Sequence, residues 1–250
     1  MSVYTIQPFV VGTCSSPEPR LFYLGDPRNM VETVFSFWLL RGSRERVLVD
    51  CGFSADSSAR FMPDVIQRLD QDPVTHLRRS GIEPETITAV ILTHAHFDHL
   101  SDTISRFTNA RVFLQRDEYA FVTDPPHPWF SRMTDMDTLR ALAAEGAPRF
   151  NLIDGRREVL PGIWVIPTPG HTQGHQSVIV DTGSARSCIT GDAAFLRRNI
   201  DEDIGPGFNS NLIDALRSLG ELRKLQDEGV VMLCSHDPDC VRTAMPVSVL

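Results

Sequence analysis

The segment that most restricts how this chain can fold is Thr93-His94-Ala95-His96-Phe97-Asp98-His99, which continues without a break from the apolar run Thr88 to Leu92. An apolar run of that length with β-branched residues reads as a buried strand. Its continuation carries four side chains that are costly to bury without partners. The strand must therefore end where the core opens. The pattern recurs three times: His171 follows the run ending at Ile166, Asp192 follows Ser187 to Thr190, and His236 follows Val230 to Leu233. Ligand-type residues just past strand ends are what open α/β sheets present at their sites.

The remaining chain alternates short strand-like runs with polar, helix-like stretches, which places it in the α/β class. Val34 to Leu40 and Arg46 to Val49 read as a strand pair, and Asp50-Cys51-Gly52 ends the second of them. Val112 to Leu114, Ile163 to Ile166 and Ser177 to Val180 read as further strands. Apolar positions at Met62, Val65, Ile66, Leu69 and Leu77 suggest a loose helix over Met62 to Arg79, and a helix starts near Asp117. Leu212 to Leu225 is the clearest amphipathic helix. The segment 124–130 holds three prolines and is expected to be irregular. With no repeat, linker or change in composition, residues 1–250 are expected to form one domain.

With 24 Lys and Arg against 32 Asp and Glu, the net charge of -8 argues against a nucleic-acid partner. Apolar runs are far shorter than the roughly eighteen residues of a membrane span, so no membrane association is expected. The N-terminus lacks a basic stretch leading into an apolar one. Five cysteines without a CxxC pair read as free thiols. Together these features point to a cytoplasmic enzyme. A dimer through the N-terminal Tyr4 to Val10 strand or Arg-rich patches is left open.

Imidazole and carboxylate are the ligands that zinc and related divalent ions prefer. On an extended loop, side chains two residues apart point the same way. His94 and His96 could therefore share one ion while Asp98 and His99 face a second. Gly170 would let the backbone approach the centre beside His171. His76 and His127 are read as ordinary histidines, and His175 as a hydrogen-bonded neighbour of the site. Pro125, Pro126, Pro128, Trp129 and Phe130 form a stiff aromatic stretch suited to a substrate wall, to which Phe195 and Phe208 are added as candidates.

The spacing His94-x-His96-x-Asp98-His99 followed by His171, Asp192 and His236 resembles the ligand pattern of the metallo-β-lactamase superfamily, and Asp50-Cys51-Gly52 resembles its strand-end Asp-x-Gly. The resemblance covers about residues 35 to 237. It implies a four-layer αββα sandwich with the site at one edge of two mixed sheets. It also implies that His94, His96 and His171 bind a first metal ion, that Asp98, His99 and His236 bind a second, that Asp192 bridges them, and that Asp50 steadies the loop. Within the superfamily, Thr168-Pro169-Gly170-His171, Gly174-His175-Gln176-Ser177, Gly191-Asp192-Ala193 and Ser235-His236-Asp237 are most similar to the quorum-quenching N-acyl-homoserine lactonases and to 4-pyridoxolactonase.

That likeness implies a hydrolase that opens a lactone ring. Two divalent ions about 3.5–4 Å apart would hold a bridging hydroxide that attacks the carbonyl, and Asp98 would protonate the leaving alkoxide. Zinc is the expected metal, with iron, manganese or cobalt compatible with the same ligands. The chain departs from these lactonases at Phe195, where they commonly carry a tyrosine that helps hold the substrate carbonyl. Alternative activities are glyoxalase-II-like hydrolysis of another ester or thioester, and a mononuclear iron dioxygenase. The latter would leave part of the Asp98, His99 and His236 set unused.

Overall fold

A computed structural model describes residues 3–244. The first sheet contains β1 (Thr5–Pro17), β2 (Met30–Arg41), β3 (Arg46–Val49), β4 (Ala89–Ile91), β5 (Arg111–Gln115) and β6 (Phe150–Ile153), in that spatial order. Its first two pairings are antiparallel and its last three parallel. The second sheet contains β7 (Arg157–Leu160), β8 (Ile163–Pro167), β9 (Gln176–Asp181), β10 (Arg186–Ile189) and β11 (Val231–Leu233). It is antiparallel except for the β10–β11 pair. The helices are α1 (Glu18–Leu21), α2 (Ala55–Phe61), α3 (Pro73–Arg79), α4 (Arg116–Thr123), α5 (Met136–Glu145), α6 (Arg197–Asp201), α7 (Leu212–Asp227) and α8 (Pro238–Ala244).

Period-two alternation sorts the strand residues into layers. Trp38, Leu40, Val47, Val49, Ala89 and Ile91 point between the sheets, where they meet Ile163, Val165, Val178, Val180 and Ile189. Their neighbours Leu39, Leu48 and Val90 point the other way, into a core closed by Leu77 of α3, Phe121 of α4 and Leu139 of α5. On the far side of the second sheet, Ile179, Cys188 and Met232 pack against Leu219 and Leu222 of α7. The result is the expected αββα arrangement: two mixed sheets flanked by helices.

The expected helix over Met62 to Arg79 is a correction. Only α3 and a single 3-10 turn over Leu69–Gln71 are helical there. Pro73 cannot supply a helical N–H and so begins a helix instead of continuing one, with the Asp72 side chain capping the Thr75 N–H at 2.9 Å. Upstream, Ile66 pairs with Thr13 as a bridge to β1. The proline-rich 124–130 segment is irregular up to His127 and then makes a 3-10 turn over Pro128–Ser131, with the His127 ring accepting from the Trp129 N–H at 3.1 Å. The five cysteines are free and buried. No helix among the described residues is long and apolar enough to cross a membrane.

Candidate metal centre

Parallel strands β3 and β4 end side by side, and the centre is built from their ends. Asp50, the residue after β3, adopts φ +63°, a left-handed conformation that Asp tolerates better than most residues. Its buried carboxylate accepts from the Thr93 N–H at 2.7 Å, from Thr93 Oγ1 at 3.0 Å and from His99 Nδ1 at 2.8 Å. The Thr93 hydroxyl spends its one proton on Asp50, so it can only accept from His94 Nδ1, 3.1 Å away. His171 Nδ1 donates to the Phe208 carbonyl at 2.8 Å, and His236 Nδ1 to the Val34 carbonyl at 2.9 Å. Each of these imidazoles therefore keeps a proton on Nδ1 and turns Nε2 inward, bare on the neutral His94 and His171.

The inward nitrogens converge in two groups. His94 Nε2, His96 Nδ1 and His171 Nε2 lie 3.0–3.1 Å from one another. In the second group His99 Nε2 lies 3.2 Å from Asp192 Oδ1 and 3.4 Å from Asp98 Oδ2. His236 Nε2 lies 3.1 Å from Asp192 Oδ1 and 3.7 Å from Asp98 Oδ2. Asp192 stands between the groups, its other oxygen 3.3 Å from His171 Nε2. Each group can hold a metal ion. Two features show that these residues fit a pair of divalent ions. The lone pairs on His94 Nε2 and His171 Nε2 face each other with both ring protons already committed elsewhere, and His99 Nε2 is buried without a hydrogen-bond partner. A cation between the nitrogens removes both conflicts.

The electrostatics divide the same way. Burial holds His94 well below the ordinary imidazole range, lowers His171, and pushes His96 down to about 3. Burial also opposes charge on His99, but Asp98, Asp192 and Asp50 outweigh it and raise the imidazole well above its usual value. His236 is raised in the same sense, chiefly by Asp192 against burial. Burial disfavours the Asp192 carboxylate, yet His99, His236 and His171 together hold it well below the usual range.

Two buried side chains complete the surroundings. His175 accepts the Asp192 N–H on Nε2 at 2.9 Å and approaches the Thr168 carbonyl with Nδ1 at 3.1 Å; burial pushes it down to about 3, so the neutral acceptor persists. Glu118 of α4 is missed by sequence reasoning, because an acid in the first turn of a helix reads as solvated. It is fully buried and accepts from Ala95 N–H, Thr172 Oγ1 and Gly174 N–H. Burial raises its carboxyl to about 7 despite those donors.

The centre forms one wall of a cavity of about 350 Å³ that His96, Asp98, His171, Asp192 and His236 line. Phe195, Phe208 and Trp129 also line it. Phe195 sits with its ring 5.4 Å from that of His171 and 5.6 Å from that of His236. Trp129 is stacked under the Arg132 guanidinium, 3.9 Å from its ring centre. Phe130, the residue after Trp129 in the same 3-10 turn, is not among the lining residues: it is half-buried and packs against Phe121 at the margin of the core.

The metallo-beta-lactamase superfamily model matches residues 36–234, and the chain belongs to that superfamily. Its relatives there include the N-acyl homoserine lactonase of Bacillus sp, 31% identical over 224 residues and 84% of each chain. Another is the N-acyl homoserine lactonase AiiA of Bacillus thuringiensis subsp. kurstaki, 30% identical over 213 residues and 80% of each chain. The crystal structure of an N-acyl homoserine lactone hydrolase with its product, N-hexanoyl-L-homoserine, at the catalytic metal centre superposes with a TM-score of 0.80 at 22% identity, covering 97% of both chains. That likeness shows the same fold.

Proposed function

We propose that this chain is a metal-dependent lactonase that hydrolyses the ring ester of N-acyl-homoserine lactones or similar small lactones. The observation that carries the reading is the placement of Asp192 between a three-histidine group and an Asp98, His99, His236 group at the floor of a largely apolar cavity. In this reading His94, His96 and His171 hold one ion, Asp98, His99 and His236 hold the other, and Asp192 serves both. Zinc suits five imidazoles and two carboxylates, as do iron, manganese and cobalt. Two such ions supply Lewis acidity at the carbonyl and a water of lowered pKa.

The chain's own residues do the rest. Asp50, the Val34 carbonyl and the Phe208 carbonyl fix the tautomers of His99, His236 and His171, so no ring must reorient during turnover. Phe195, Phe208 and Trp129 exclude water around the acyl portion and give it apolar contact. Hydrolysis adds water to the carbonyl carbon and breaks the ring carbon–oxygen bond, which leaves an alkoxide that needs a proton. Asp98 lines the cavity at the edge of the centre, and in this reading its carboxylate takes the proton from the attacking water and returns it to the ring oxygen. Phe195 offers no hydroxyl to the substrate carbonyl, so in this chain that oxygen relies on the ions.

The test is a proton-release assay on metal-replete protein with the ions counted on the same sample. The panel holds short- and long-chain acyl-homoserine lactones, simple γ- and δ-lactones, an aromatic lactone and a glutathione thioester. Two ions with turnover on acyl-homoserine lactones is the expected result. Turnover confined to the thioester would replace the substrate class. One iron with no hydrolysis would refute the hydrolase reading.

A further inference from the structure

We propose that Glu118 is a positioning residue for the three-histidine group alone: its carboxylate ties the segment bearing His94 and His96 to the segment bearing His171 and thereby sets the affinity of the first ion. The inference rests on the reading that the two groups hold two ions. Oε1 accepts from the N–H of Ala95, the residue between His94 and His96, at 3.0 Å. Oε2 accepts from Thr172 Oγ1, the residue after His171, at 2.6 Å and from the Gly174 N–H at 3.2 Å. One side chain thus spans two segments that are far apart in sequence and that together carry every member of the first group.

The packing behind it is tight. A Cβ on Gly174 would land inside the backbone of Glu118, so the first turn of α4 lies directly on the His171 segment. A Cβ on Gly170, whose φ is +133°, would land inside the backbone of Ala215 in α7. The His171 segment is therefore wedged between two helices, and Glu118 transmits that fixed position across to Ala95. The second group has other anchors. Asp50 holds His99, the Val34 carbonyl holds His236, and His175 holds the backbone of Asp192. Glu118 touches none of these contacts.

Glu118→Gln keeps the shape but lets oxygen accept on one side only, setting an NH2 group against either the Ala95 or the Gly174 N–H. Loss of such an outer hydrogen-bonding partner typically weakens a metal site by about 10–100-fold. The experiment titrates metal-free wild type and Glu118→Gln with zinc against a chromophoric chelator to obtain two stepwise dissociation constants. Visible spectra of cobalt-loaded samples and urea unfolding of the metal-free proteins accompany it.

The expected result is one dissociation constant weakened by about 10–100-fold and the other changed by less than about threefold, with the cobalt spectrum altered at one ion only. Both constants unchanged, or both weakened equally, would overturn the inference, the second pattern marking a merely structural carboxylate. Thr172→Val removes one of the three donors and must weaken the same ion by a smaller factor; it carries the test if Glu118→Gln does not fold. A wild type that binds fewer than two ions overturns the dinuclear reading and this inference with it. A wild type that binds two beside an unaltered Glu118→Gln overturns this inference alone.

Discussion

Asp98 and Asp50 are carboxylates of the same centre, yet the structure separates them so sharply that their isosteric amide variants should behave in opposite ways. The Asp98 carboxylate, 11% exposed, approaches His99 Nε2 at 3.4 Å and His236 Nε2 at 3.7 Å, and makes no shorter polar contact among the described residues. Burial disfavours its charge and the His99 imidazole favours it, with the net effect of holding it below the ordinary carboxylate range. Asp98→Asn removes a pair that lacks good hydrogen-bond geometry and also relieves the desolvation of a carboxylate. The attraction outweighs the desolvation, as the lowered carboxyl shows, but only weakly at these distances, so about 1 kcal/mol of the stability of the metal-free chain is lost. Turnover should fall far more. Loss of a positioned proton carrier costs about 100- to 10,000-fold, equivalent to about 3–5 kcal/mol of barrier. Urea unfolding of the metal-free protein, elemental analysis of the loaded protein and kcat from proton release measure the three quantities on one preparation. An Asp98→Asn protein that keeps two ions and a kcat within about threefold of wild type removes Asp98 from proton transfer. A stability loss beyond about 2 kcal/mol refutes the claim that its carboxylate is structurally idle.

Asp50→Asn should show the reverse balance, losing about 1.5–3 kcal/mol of metal-free stability in urea, because an amide must turn its NH2 toward one of the donors on Thr93 or His99; a change under about 0.5 kcal/mol would contradict this. Phe195→Tyr adds a hydroxyl beside His171 and His236 and should raise kcat/KM on N-hexanoyl-homoserine lactone by up to about tenfold, the scale of a modest oxyanion donor; a fall would show that the ring does not face the carbonyl. In the metal-free chain the raised His99 contributes stability that is complete below its unfolded value near 6.5 and is lost as pH rises through its folded value. Ions at the second group must displace that proton, so their affinity should climb with pH above neutrality. The first group, already neutral, should show no such slope down to about pH 6.5. Zinc titrations across pH decide it, and parallel slopes would refute the division.

The parts of this molecule governed by local chemistry were legible in the sequence. Strand ends followed by His94, His96, His171, Asp192 and His236 stood out because apolar periodicity stops abruptly at a ligand-type side chain. The layers were implied by the resemblance to the metallo-β-lactamase superfamily, and alternation in Val47, Leu48 and Val49 is how the structure realises them. What escaped depends on partners distant in the chain. Glu118 looks like any helix-first-turn acid until the Gly174 segment is folded over it. Phe130 looks like its neighbour Trp129, yet in the folded chain one packs against Phe121 and the other lines the cavity. The Val34 and Phe208 carbonyls carry no sequence signal at all, since every residue has one. The Met62 to Arg79 helix was overpredicted because its apolar spacing serves a bridge to β1 and a short capped helix.

The centre also lies across the seam between the two sheets. The loops after β3 and β4 supply Asp50 to His99, while those after β8, β10 and β11 supply His171, Asp192 and His236, so His94 and His171 meet across 77 positions of sequence. Loops of that span close slowly during folding, and their two halves are brought together by the sheets before any ion can find a complete set of ligands. Once seated, an ion fastens one sheet to the other. The halves can then separate only after it leaves, so loading should act on the lifetime of the folded chain and barely on how fast it forms. Survival under protease then becomes a clock for metal release.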